Sequence, residues 1–345
     1  MNDRPRPAAT VHHLFPGPDA GLPSYLRPRA AAEGPPLSFE ADGERWHTSV
    51  ALPTLPVGTL LVPSLVIGDR VPDAYALRVQ WPGAALDLAP IRVRATAPFS
   101  AARAHVERVA GTSGSARGGL DCLLVEETVV DARLELRGTG PVPDDATLLV
   151  GMRSRLVEVR DTGATAPDLP VPPRSQMTRA TAIARHICSP LSVAMVMEAA
   201  GHAVDPEVFA RSCEHPDHAR LFGMWPLNLA RARTEGFGGM VRQFEDVDEV
   251  AGLLARGHPI VASIRFETGA LPGAPLPRTG GHLVVLRGLG ATSVLVNDPA
   301  AASDATVPRR YDRAAFLRAW LADRGIGYLL WPHGANLEAT RQTAS

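Results

Sequence analysis

The rhythm of apolar and polar positions changes along the chain. Between residues 37 and 160, short apolar runs are separated by Gly, Pro and Asp, and the runs at 60–62, 76–80, 91–94, 129–136 and 147–152 each read as a strand. In Ala132-Arg133-Leu134-Glu135-Leu136-Arg137 the alternation has period two, which turns one side of a strand to a core and the other to water. Strands spaced in this way predict an antiparallel β-sandwich. Beyond residue 174 the apolar segments lengthen and mix two periods. Helices are expected at 189–200, 205–213, 225–235, 246–256 and 312–322, and strands at 240–244, 259–266, 282–288, 293–297 and 326–331. Pro272, Pro275 and Pro277, with Gly269 and Gly273, make 267–280 a loop.

These changes divide the chain. Residues 1–36 are dense in proline and predict a flexible lead-in, 37–160 the sandwich, 161–173 (DTGATAPDLPVPP) a linker, 174–335 a second domain and 336–345 a tail. Residues 100–109 read as a helical or extended insertion. A chain of 345 residues, 45% hydrophobic, is long enough for two cores. Its net charge of −1 offers no field for nucleic acid. Every basic residue is arginine, a bias we read as genomic base composition rather than arginine chemistry. No signal peptide or membrane-spanning run is visible, so the chain as given is expected to be cytoplasmic and not membrane-inserted, or secreted if its true start or a leader lies upstream. The sequence sets no oligomeric state.

Three cysteines, widely spaced and without a CxxC pair, argue against a disulfide framework and a cysteine zinc cluster. Cys122 and Cys213 read as small buried hydrophobes. Cys213-Glu214-His215-Pro216-Asp217-His218 has the residue types of a metal site, but Pro216 breaks any helix there and a solvated loop is expected. No metal or cofactor is called for. Cys188 is different. It stands at the start of a predicted helix, ahead of Ser189-Pro190, with Gly201 as the stop; there the helix dipole favours a thiolate. Downstream, His282 opens one predicted strand and Asp298 ends the next, so a hairpin would bring imidazole and carboxylate together. Gln176 is the candidate side-chain donor to an oxyanion, beside the Cys188 N–H. Singly, each has an ordinary structural role. Together, in the order cysteine, histidine, carboxylate, they have the chain order of a papain-like nucleophilic site.

Residues 170–332 resemble the bacteriocin-processing-like cysteine peptidases of the papain-like clan, whose founding members cut double-glycine leader peptides. The resemblance lies in Pro172-Pro173-Arg174-Ser175-Gln176-Met177, Cys188-Ser189-Pro190 with Met195, Gly223-Met224-Trp225-Pro226-Leu227-Asn228, Gly281-His282-Leu283, Asn297-Asp298-Pro299-Ala300, and Tyr311 with 316–320. Leu191 and Met224 depart from the usual residues, and 12 residues between Gln176 and Cys188 is a long spacing. The resemblance implies nucleophile Cys188, general base His282, orienting Asp298 and oxyanion donor Gln176, acting on a peptide or protein. The expected fold class is α+β: a papain-like cysteine peptidase domain preceded by an antiparallel β-sandwich domain. Two other functions fit the same residues, transglutaminase-like acyl transfer and silent peptide binding. The chain has no Walker-type motif and no exporter's membrane part.

Overall fold

The computed structural model describes residues 11–94, apart from 19, 21 and 30, and residues 108–334. Residues 1–10, most of the 100–109 insertion and the expected 336–345 tail lie outside the described residues.

The first half contributes thirteen strands: β1 (Val11–Pro16), β2 (Ala31–Glu33), β3 (Glu40–Asp42), β4 (Arg45–Ala51), β5 (Thr59–Val66), β6 (Ala74–Trp81), β7 (Ala84–Asp87), β8 (Ile91–Arg92), β9 (Arg108–Gly111), β10 (Gly114–Gly118), β11 (Leu123–Glu127), β12 (Arg133–Thr139) and β13 (Thr147–Ser154). They form a seven-stranded sheet in the order β2-β1-β13-β5-β11-β10-β9 and a six-stranded sheet, β3-β4-β12-β6-β7 with β8 on β6. Except for the parallel β1–β2 pair, neighbours are antiparallel. The two sheets share one apolar core, with Leu61, Leu65, Leu148 and Val150 on one side and Trp46, Leu77, Leu134 and Leu136 on the other. The period-two alternation of β12 is realised: Leu134 and Leu136 are buried and Arg133 is exposed.

The second half holds α1 (Cys188–Ala199), α2 (Pro206–Ser212), α3 (Trp225–Thr234), α4 (Val247–Ala255) and α5 (Arg313–Leu317). Its sheet comprises β14 (Phe237–Gln243), β15 (Ile260–Phe266), β16 (Thr279–Leu289), β17 (Ser293–Asn297), β18 (Pro308–Asp312) and β19 (Ile326–Pro332), in the antiparallel order β14-β19-β15-β16-β17-β18. Both faces of this sheet are covered. Val261, Leu283 and Val285 point to a core shared with α1, while Ala262, Val284 and Leu286 point to one shared with α4 and α5. That is why these strands read as continuous apolar runs rather than alternating ones.

The lead-in is not flexible over its described residues. β1 lies between β2 and β13 in the sheet, with Leu14 and Phe15 buried and Leu26 fully so. Arg242 of β14 donates to the Leu26 carbonyl (3.2 Å). Proline density misled here because Pro16 can end a strand and Pro23 precedes a short 3-10 turn. Burying a leucine of this kind contributes about 1.5–3 kcal/mol, and Leu26→Ala would remove that along with its packing.

The halves are also less separate than a linker implies. The centre of the seven-stranded sheet, β5 and β13, is buried on both faces: Leu61 and Leu65 of β5 enter the first-half core, Leu60 and Val62 the α1 core, and Val66 the α4 core. Across this seam Ser64 Oγ accepts the Val241 N–H (3.0 Å), Arg153 donates to the Phe244 and Leu321 carbonyls, and Arg231 donates to the Val93 carbonyl. These buried guanidiniums satisfy backbone oxygens where the strands meet, so the arginines do more than record base composition. The 161–173 segment has almost no regular structure, yet its backbone bonds to β16: the Leu169 N–H donates to the Arg287 carbonyl (2.8 Å) and the Ala166 N–H to the Leu289 carbonyl (2.9 Å). It passes so close that a Cβ on Gly288 would lie 3.1 Å from the Asp168 backbone.

Candidate active site

Cys188 is the first residue of α1. Ser189 does not cap that helix. Its side chain is buried and its Oγ shares a hydrogen bond with Tyr328 Oη (2.9 Å), while the Leu191 N–H closes the first turn on the Ile187 carbonyl (3.0 Å). The expected stop is present: Gly201 takes φ +84°, and the His202 N–H reaches back to the Met197 carbonyl (3.1 Å). Ser189 through Met197 are buried, so α1 is a central helix packed on all sides. Its rigidity fixes the sulfur.

β16 and β17 form the predicted hairpin, with Val285 opposite Asn297. His282, near the start of β16, and Asp298, just past the end of β17, then meet through a hydrogen bond between Nε2 and Oδ1 of 2.7 Å, with both side chains almost fully buried. The same Oδ1 accepts the Ala300 N–H (3.0 Å), and Oδ2 accepts the Tyr311 hydroxyl (2.6 Å). With Nε2 committed to Asp298, Nδ1 is the His282 nitrogen left to act on the Cys188 thiol. The Leu283 N–H also faces the sulfur.

Burial alone would push the Cys188 thiol up, but the hydrogen bond and charge of His282 outweigh it and hold the thiol below its ordinary value. Burial would likewise lower His282. The Asp298 charge and hydrogen bond, with the Cys188 contribution, raise it instead to about 10. Asp298 is held below the ordinary carboxylate range despite burial, by His282, Tyr311 and the Ala300 N–H. These shifts favour a thiolate–imidazolium pair oriented by a carboxylate.

Gln176 sits beside the carboxylate arm. Its N–H donates to the Pro299 carbonyl (2.8 Å), and the Ser175 N–H and Oγ donate to the Asp304 carboxylate and the Ala301 carbonyl. Gln176 is buried, and its Oε1 has no hydrogen-bond partner among the described residues. The structure thus joins His282 to Asp298 by a hydrogen bond, sets Cys188 where the His282 charge acts on its thiol, and docks Gln176 on the loop that follows Asp298.

Sequence reasoning missed Tyr311 as a partner of Asp298. It lies on β18, a strand that was not expected because Pro308-Arg309-Arg310-Tyr311-Asp312 has little apolar content for an edge strand. The expected solvated loop at 213–218 is partly inward: Cys213 and His215 are buried, and the His215 N–H donates to the Leu221 carbonyl (2.8 Å) while Nδ1 accepts the Asp217 N–H (3.2 Å). Among the described residues, no group of three or more His, Cys, Asp or Glu is placed to hold a metal ion. No helix among them is long and apolar enough to cross a membrane.

Residues 168–328 match the model of the Peptidase_C39 like family. The stretch contains Cys188, His282, Asp298 and Gln176, and the match supports a C39 peptidase-like protein and a cysteine peptidase-type enzyme. A solved structure from Bacillus anthracis, described as a candidate C39-like peptidase, is 16% identical; the similarity covers 48% of this chain and 97% of that one, with a TM-score of 0.38. No curated protein matches the chain.

Proposed function

We propose that this protein is a cysteine peptidase that cleaves a peptide or amide bond through Cys188, His282 and Asp298. In this reading residues 174–335 act as a papain-like domain, carried on an antiparallel β-sandwich built mainly from residues 37–160. The Cys188 thiolate attacks the acyl carbon, forming the S–C bond while the carbonyl electrons move to oxygen. The Cys188 N–H at the helix start and the Gln176 amide are the donors available to that oxyanion. Imidazolium His282 then protonates the leaving amine as the C–N bond breaks. Water next attacks the thioester with His282 taking its proton, and Cys188 leaves as thiolate with the acid product. Asp298 keeps the imidazole ring in place and balances its charge, while Tyr311 and the Ala300 N–H keep Asp298 in place.

The observation that carries this reading is the buried His282–Asp298 hydrogen bond of 2.7 Å beside a thiol held below its ordinary value. The test is a peptide-library digest analysed by mass spectrometry. Cleavage by the wild type and none by Cys188→Ala is expected; equal product from both would overturn the proposal. No observation at the site favours acyl transfer to an amine, or silent binding, over hydrolysis.

A further inference from the structure

The loop entering β11 carries Asp121 from the first half of the chain to the start of α3, where Asp121 Oδ2 accepts the Trp225 N–H (3.3 Å). The Arg324 guanidinium lies over the Trp225 ring, 5.7 Å from its centre. Arg324 also lies near Gly281, the residue before His282: a Cβ on Gly281 would stand 4.0 Å from Nη2. Asp121, Cys188 and Arg324 each keep some exposed surface, and Gly280 and Gly281 are fully on the outside. With no side chains there, the backbone at 280–281 admits close approach of another chain.

The Arg324 cation is incompletely neutralised. Nη2 donates to the neutral Ser263 Oγ (3.3 Å), and Nε is buried without a hydrogen-bond partner. Its ion-pair carboxylate, Asp323, stands 3.6 Å away and is divided among Arg155, Arg265 and Arg324. Asp121 adds a negative charge to the same field and Arg265 a positive one. A guanidinium over an indole, short of anionic partners and beside the residue that precedes the general base, suits a planar carboxylate.

We propose that Arg324 is a specificity residue that binds a substrate carboxylate, an acidic side chain or the free C-terminus of a peptide, next to the bond Cys188 attacks. This rests on the peptidase reading above, and it makes the Asp121 loop and α3 part of the substrate crevice.

The test compares alkylation of Cys188 by iodoacetate, which carries a carboxylate, with alkylation by neutral iodoacetamide; in both the thiolate displaces iodide. The iodoacetate-to-iodoacetamide rate ratio should fall about tenfold in Arg324→Gln and be largely kept in Arg324→Lys, which retains the charge. An unchanged ratio in Arg324→Gln would overturn the proposal, and so would equal loss in both variants, since packing rather than charge would then explain it. Short peptides used as protectors against iodoacetamide separate the sources. Protection by a free-acid peptide but not its amide assigns the C-terminus, and protection by an amidated peptide bearing Glu assigns the side chain. Equal protection by an amidated peptide without acidic residues counts against a carboxylate site. If wild-type Cys188 reacts with neither reagent faster than Cys213 does, the peptidase reading itself fails.

Discussion

Cys188 and Cys213 belong to the same apolar core, the one that α1 shares with the second-half sheet, and their chemistry diverges. Burial pushes the Cys213 thiol up to about 12, and its hydrogen-bond partner is only the neighbouring Ser212 hydroxyl, 3.9 Å away. Cys122, packed on the same core beside Asp121, is likewise pushed well above an ordinary thiol. Cys188 feels the same upward push from burial and ends below the ordinary value, because an imidazole charged through Asp298 faces it. The contrast separates two properties that a sequence joins in one letter. An apolar setting alone makes a thiol inert; a buried ion pair within that setting makes one reactive.

The sharpest way to break this contrast is to remove the sulfur. Cys188→Ala should bring peptide cleavage down to the uncatalysed background and abolish fast alkylation at near-neutral pH, while Cys122→Ala and Cys213→Ala keep it; mapping the alkylated peptide by mass spectrometry decides. His282→Ala should come next, with cleavage lower by about 10²–10⁴-fold. Its pH profile carries further information. In the wild type the active window opens as Cys188 deprotonates, below the ordinary thiol value, and closes as His282 loses its proton at about 10. Without His282, the Leu283 N–H is left to oppose burial, so the alkylation limb of Cys188 should move upward towards that of Cys213. A limb that stays in place would mean the helix terminus, not the imidazole, sets the thiol.

Asp298→Asn keeps the shape but removes the charge. It should lower His282 from about 10 towards its ordinary value, narrow the basic side of the window and slow cleavage, as steady-state kinetics across pH would record. Because His282 is buried, losing its partner should also cost about 3–5 kcal/mol of stability at pH values where the imidazole would be charged. Denaturant melts at pH 5 and at pH 10.5 check the sign. The stability contributed by a raised histidine is complete below the unfolded value, near ~6.5, and fades as pH passes the folded value. Tyr311→Phe should have the smallest effect. It deletes one hydrogen bond to a charged group, about 1.5–3 kcal/mol, and should lower stability more than it lowers the alkylation rate.

Much of the site was legible in the sequence. A helix starting at Cys188 and stopping at Gly201, and a hairpin joining His282 to Asp298, follow from turn residues and apolar runs, and the structure has both. Helices α2, α3 and α4 also fall close to their expected limits, while the helix expected at 312–322 is divided into α5 and a π-helical turn, Arg318–Ala322. What stayed hidden depended on tertiary context. Pro16 and Pro23 suggested a loose segment, yet Leu14 and Leu26 find cores made by residues far along the chain. Tyr311 looked like a helix-adjacent aromatic until an edge strand turned its hydroxyl to Asp298. His215 looked solvated because the reversal at Leu221 that encloses it has no strong local signal, whereas Cys213 was expected to be buried and is.

The centre of the seven-stranded sheet, buried on both faces, ties the two halves together more closely than exchangeable modules would be. Leu60 and Val62 on one side of β5, and Leu61 and Leu65 on the other, are all buried, so either side of this strand would meet water if its neighbour were lost. A backbone cut within 161–173 would therefore leave two fragments that remain associated, each folding against the other. Separated, each fragment would expose apolar surface that now lies between Leu60 and Val62 of β5 and the α1 core.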